Sequence, residues 1–280
     1  MPERQSTPKG PLDFTPAELE RHSRQVLLPN VGAAGQARLA NAAVLVVGAG
    51  GLGAPLARAL VGAGVGRVGV VDHDQVALSN LHRQPPFVES DVGRPKVAAL
   101  LAHLRALNSA AWLDGHEHAA DAAFMAAQVP RYDIVCDATD DATTRLLLSD
   151  ACKRAGRSLV SGAAQGWSGW MVHFPAHPGG PCQRCLHPHM AGSPAASCTG
   201  AGVIGPVPGL VAQMMALEVV RLLLEPARQQ ALESTLHLWE GQDMRLRGLT
   251  LRASLSCPHY SMVQEGARQG AAEQGVPHHG

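Results

Sequence analysis

The sequence predicts an α/β domain built on a mixed, mainly parallel sheet. Three observations predict it. Short apolar runs of strand length alternate with segments of helical periodicity between residues 42 and 174. The first of these runs ends in a glycine-rich turn that opens a helix, as a buried parallel strand does. The last apolar runs, beyond residue 235, are short and closely spaced, so the sheet closes on hairpin-like antiparallel strands.

Each element has a local reason. Thr15-Pro16-Ala17-Glu18 carries a capping residue, a proline at the first helical position and a glutamate at the third, so a helix starts there and runs through RHSRQ. AAVLVV at 42–47 is a buried strand ending in GAGGLG. A helix follows over 53–63, with Pro55 in its first turn and Gly64 and Gly66 after its end. RVGVV at 67–71 is the second strand and runs into Asp72. Residues 94–107 place Val97, Leu100, Leu101, Leu104 and Leu107 on one side of a helix. YDIVCDA at 132–138 is a strand, followed by a helix over 141–155 that Gly156 stops. Strands are expected at 158–162 and 168–174, a long functional loop at 178–205, and an apolar helix at 207–224. Short strands at 236–239, 244–246 and 249–251 complete the expected sheet.

Composition narrows the function. Lys plus Arg and Asp plus Glu number 23 each. That balance, without long basic runs, argues against a dedicated nucleic-acid binder. No uninterrupted apolar run of spanning length is read, and MPERQSTPKGPLDF lacks an apolar signal region. A soluble, cytoplasmic protein with no membrane or nucleic-acid partner is expected. The six cysteines then point to metal or thiol chemistry rather than a disulfide framework.

Gly48, Gly50, Gly51 and Gly53 lie between a strand and a helix, where glycines let the backbone approach phosphates and the helix start offers free N–H groups. Asp72, 24 residues after Gly48, is placed to accept hydrogen bonds from ribose hydroxyls. The context fits the glycine fingerprint for phosphate groups; the turn alone would equally introduce an NAD or FAD enzyme, and the competing reading is a tight strand–helix turn with no ligand.

Further segments are more specific. VDHDQVALSNLHRQ and DVGRPK follow the second strand; RHSRQVLLP stands near the start; DATDD at 137–141, LVSGA at 159–163, PCQRC at 181–185 and SCTGAGVIGPVPG at 197–209 come later. In this order and spacing, over residues 21–258, the chain resembles the MoeB/ThiF/HesA adenylating enzymes, bacterial relatives of the ubiquitin-activating enzymes. The resemblance implies a Rossmann-like ATP-binding domain over 15–260, between flexible tails at 1–14 and 261–280. It implies ATP- and magnesium-dependent adenylation of the C-terminal carboxylate of a ubiquitin-like sulfur carrier ending in Gly-Gly. The alternatives are an NAD-dependent oxidoreductase and a non-catalytic member of the fold.

Such chemistry needs little acid–base help, because a carboxylate is already ionised near pH 7. It needs cations where negative charge gathers on phosphates. By resemblance, Arg83 and Lys96 hold the phosphates, Ser79 and Asn80 add polar contacts, and Asp74 belongs to the nucleotide-binding set. Asp140 holds magnesium, and Arg24 reaches into the site of the other subunit of a homodimer. Relatives carry Asn after the catalytic aspartate; Asp141 stands here and is expected to add negative charge beside the phosphates.

Cys182-Gln183-Arg184-Cys185 has the spacing of half a zinc site. Where relatives carry a second such pair, this chain reads Cys257-Pro258-His259-Tyr260. His259, or His187 or His189, is the expected fourth ligand of a structural zinc; the competing reading is a degenerate, metal-free site. Cys198 matches a cysteine that in ThiF-type relatives takes part in acyl-disulfide or thioester chemistry, beside the competing reading of a loop residue without a covalent role. The sulfur donor is expected to be a separate protein.

Overall fold

Thr15 accepts a hydrogen bond from the Glu18 backbone while the Glu18 carboxylate returns to the Thr15 N–H, and this reciprocal cap starts helix α1, Pro16–Val26. In this computed structural model the described residues are 8–190 and 202–259. Residues 8–14, expected within a flexible tail, lie against the domain. The Lys9 N–H donates to Asn41, the Asn41 amide donates back to the Lys9 carbonyl, and the Lys9 ammonium pairs with Glu18.

The chain continues as α2 (Gly32–Asn41), β1 (Ala43–Val47), α3 (Gly53–Ala63), β2 (Arg67–Val71), α4 (Lys96–Leu107), β3 (Trp112–His116), α5 (Ala122–Gln128), β4 (Ile134–Asp137) and α6 (Ala142–Ala155). Then come β5 (Ser158–Gln165), β6 (Ser168–Phe174), α7 (Gln183–Met190), α8 (Pro206–Leu224), β7 (Glu233–Glu240) and β8 (Arg245–Arg252). The strand order is β3-β2-β1-β4-β5-β6-β7-β8. The first five pair in parallel and the last three antiparallel. The mixed, mainly parallel sheet is as expected.

Alternate residues of the buried strands feed two cores. Val44, Val46, Val68, Val70, Ile134 and Val160 pack with α3, α4 and α8, while Leu45, Val47, Val71, Val135 and Leu159 pack with α5 and α6. Helix α8 has the length and apolar composition of a spanning helix, unlike the expectation that no such segment exists. Glu218 and Arg221 interrupt its apolar run without lowering its mean hydropathy enough to exclude it. Its buried side, including Val211, Met215, Val219 and Leu222, packs into the first core.

Four elements were not expected. Helix α2 contains two glycines, and one of them, Gly35, leaves room for Leu224 of α8. Strand β3, at the sheet edge, is only partly buried and lacks an apolar pattern. Helix α5 is a seven-residue segment capped by Asp121. Helix α7 falls inside the expected loop, and β8 is one strand where two short ones were expected.

Candidate functional site

The sheet order reverses between β1 and β4, and at such a switch point loops diverge to opposite faces and leave a crevice at the strand C-termini. A cleft of about 1030 Å³ occupies that place. Gly48 ends β1 with φ +93°, and a Cβ there would meet the Ala138 carbonyl oxygen at 2.8 Å. A Cβ on Gly53 would overlap the Gly48 carbonyl oxygen. These two glycines make the turn possible. Gly50 and Gly51 line the cleft.

Asp72 lines the cleft too, but its carboxylate is bound to backbone. Oδ2 accepts from Ala49 N–H at 2.7 Å, and Oδ1 accepts from Asp74 N–H at 2.8 Å. The expected ribose acceptor therefore braces the glycine turn, and each oxygen keeps one lone pair for a further donor.

The crossover between β2 and α4 supplies the cations. The Arg83 guanidinium donates to the Ser79 carbonyl at 2.9 Å and lines the cleft. Asn80 lines it as well, with Oδ1 accepting from Ala77 N–H. Ser79 is exposed and contributes its carbonyl; its side chain is not among the cleft-lining groups. Lys96 starts α4, is buried, and places Nζ 2.8 Å from Asp74 Oδ2. That hydrogen bond holds the Asp74 carboxyl below its ordinary range. Asp91 fixes the back of this crossover: it is buried and accepts from Arg94 and from Val88 N–H, with His103 Nε2 at 2.7 Å.

Asp140 is exposed at the cleft, in the loop between β4 and α6. Asp141 also borders the cleft, but it is the N-cap of α6, accepting from Thr144 N–H at 2.6 Å. Hydrogen bonds from the Thr144 side chain and backbone hold its carboxyl low. Its charge is directed at a helix start, where a carboxylate is stabilising.

Sequence reasoning missed Asp137, which is fully buried at the end of β4. It accepts from Ser161 Oγ and Thr139 Oγ1, each at 2.6 Å, and lies 3.1 Å from Arg145 Nε. Arg145 donates to the Thr139 carbonyl and lies over the Trp170 ring, 5.0 Å from its centroid. This network holds the loop carrying Asp140. An acidic residue closing the apolar run IVCD was the available signal.

Arg24 is exposed in the last turn of α1 and does not line this cleft. Cys198 lies outside the described residues.

A second constellation sits beside α6. The sulfurs of Cys182, Cys185 and Cys257 lie within 4.8 Å of one another, and all three residues are buried. Cys182 Sγ is 3.9 Å from Cys185 Sγ and 3.5 Å from Cys257 Sγ. Four ligands around zinc at thiolate bond lengths would stand about 3.8 Å apart, so the spacing fits. The sulfur–sulfur hydrogen bond holds Cys185 low and pushes Cys182 up. His259 Nδ1 lies 3.5 Å from Cys182 Sγ but outside the mutual set of three sulfurs. Burial pushes its imidazole toward the neutral form, the form that binds metal. Three thiols and a neutral imidazole are a zinc donor set.

Fold and cleft together define a Rossmann-like nucleotide-binding protein with the glycine turn, cations and a carboxylate on one crevice. The chain belongs to the ThiF family, whose model matches residues 22–259. It is 41% identical over 250 residues to the sulfur carrier protein adenylyltransferase of Thermus thermophilus, covering 88% of this chain and 92% of that protein. It is 41% identical over 236 residues to the adenylyltransferase and sulfurtransferase MOCS3 of Anopheles gambiae, covering 84% of this chain and 53% of that protein. The chain thus spans about half the length of the MOCS3 relatives it matches. Among solved structures, E. coli MccB with AMPCPP and selenomethionine MccA superposes with a TM-score of 0.69 at 21% identity, covering 85% of this chain and 73% of MccB. That likeness concerns the fold.

Proposed function

We propose that this protein is an adenylyltransferase that uses ATP to activate the C-terminal glycine carboxylate of a ubiquitin-like sulfur-carrier protein ending in Gly-Gly. The observation that carries this reading is the convergence of Arg83, Lys96, Asp140 and the glycine turn on one cleft. The names of the relatives supply the carrier. The Thermus relative, matched over nearly its whole length, is named for adenylyl transfer alone. This favours a separate protein as sulfur donor.

The carrier carboxylate attacks the α-phosphorus of ATP, forming a C–O–P bond as the bond to the bridging oxygen breaks and pyrophosphate leaves. The carboxylate arrives ionised, so the protein's task is orientation and charge. Ala49 N–H is taken by Asp72, so the later N–H groups of the glycine turn, at the start of α3, are the donors offered to the phosphates. Arg83 and Lys96 offset the charge that moves onto the leaving pyrophosphate. Asp140, an exposed carboxylate at the cleft, is the magnesium ligand; the ion would supply positive charge to the phosphate oxygens. Arg24 acts in the cleft of a second copy, and the enzyme is a cytoplasmic homodimer. Zinc, held by Cys182, Cys185, Cys257 and His259, is structural.

Carrier-dependent exchange of pyrophosphate into ATP tests the reaction. Mixing Arg24→Ala with Asp140→Ala tests the dimer: partial activity returns through mixed dimers. No recovery despite subunit exchange would place Arg24 outside a shared site.

A further inference from the structure

Asp150 and Arg184 form a pair that the nucleotide chemistry does not use. Asp150 is buried on α6, facing α7. Its two oxygens accept from Arg184 Nε at 2.8 Å and from a terminal Arg184 nitrogen at 2.6 Å, a two-pronged pair that fixes the carboxylate plane. Arg184 stands between Cys182 and Cys185 in the first turn of α7, so the pair is built into the cysteine pair itself. On its other side, Asp150 Oδ1 lies 3.5 Å from His259 Nε2.

His259 is therefore held between two groups of different kinds. Nδ1 faces the Cys182 sulfur and Nε2 faces a carboxylate. A metal-bound imidazole carries its proton on the nitrogen that does not bind, and an acceptor there selects the tautomer and the ring orientation. We propose that Asp150 is the positioning residue that makes His259 the nitrogen ligand of the three-cysteine centre. Asp150 accepts the Nε2 proton, Arg184 keeps Asp150 in place, and Nδ1 is left as a lone pair aimed at the metal. A fourth cysteine would need no such partner; a histidine two residues after Cys257 does. The inference rests on the zinc reading above.

Cobalt titration of the chelator-stripped full chain tests it, because tetrahedral cobalt reports its ligands in its visible bands. The wild-type spectrum should be that of three sulfurs and one nitrogen, and His259→Cys should move the bands to lower energy. Asp150→Asn should weaken cobalt binding about tenfold to a hundredfold beside His259, and by less than about twofold in the His259→Cys background. Equal loss in both backgrounds would make Asp150 merely structural, and no loss beside His259 would remove it as partner; either overturns the proposal. Unmoved bands in His259→Cys would remove His259 as a ligand. Folded wild-type protein that takes no cobalt would overturn the zinc reading itself.

Discussion

Lys96 Nζ lies 2.8 Å from Asp74 Oδ2, inside the cleft where the phosphates are proposed to bind. The ammonium is buried while the carboxylate is about half exposed, so the pair presents a cation braced from the solvent side. Asp74 positions Lys96, and phosphate oxygens then compete for the same donors.

Lys96→Ala should raise KM for ATP about tenfold or more, since it removes a desolvated cation from a polyanion site. It should also let the Asp74 carboxyl, now held low by Lys96, titrate at a higher pH. An NMR titration of Asp74 reads the second effect, and an unmoved midpoint would mean the pair does not persist in solution.

Asp137→Ala should cost about 3–5 kcal/mol of stability, because it strands the buried Arg145 guanidinium. Urea denaturation measures it. A loss near zero would contradict the network assigned to the Asp140 loop.

Asp141→Ala should cost about 1 kcal/mol through loss of the α6 cap, and Asp141→Asn almost nothing, since asparagine caps as well. ATP affinity should stay nearly level in Asp141→Asn. Clearly tighter binding in that variant would restore the sequence-based expectation that this carboxylate repels the phosphates.

His173 supplies a pH dependence. Burial pushes its imidazole down to about 4, below the ordinary value of 6.5. The unfolded chain therefore takes up this proton first. The associated stability is complete above about pH 6.5 and is lost as pH falls toward 4, on the order of 3 kcal/mol at the limit. Denaturation at pH 7 and pH 4.5 should show a smaller difference in His173→Gln than in wild type; equal differences would mean His173 is solvated.

Much of this architecture is legible in the sequence because its signals are local. The glycine turn needs Gly48 and Gly53 for steric reasons, and the buried strands AVLVV and RVGVV announce themselves by composition. Strand β3 and helix α5 escape because edge position and shortness leave no pattern to read. At the site, the family resemblance points to Arg83, Lys96 and Asp140, which the fold brings to one cleft, but no sequence signal says which way a carboxylate points. Asp72 turns to Ala49 N–H and Asp141 to Thr144 N–H. For Asp137 the sequence offers only an acidic residue closing an apolar run; its role comes from Ser161 and Arg145, distant partners that only the folded sheet and α6 bring together.

The central claim is the formation of a carrier adenylate. Purified protein, ATP, magnesium and a candidate carrier ending in Gly-Gly should yield, by mass spectrometry, a carrier bearing one AMP on its terminal glycine, with one pyrophosphate released. Folded Asp140→Ala protein should yield none. An unmodified carrier across a panel of Gly-Gly carriers, with protein stabilised against heat by NAD and not by ATP with magnesium, would contradict the account.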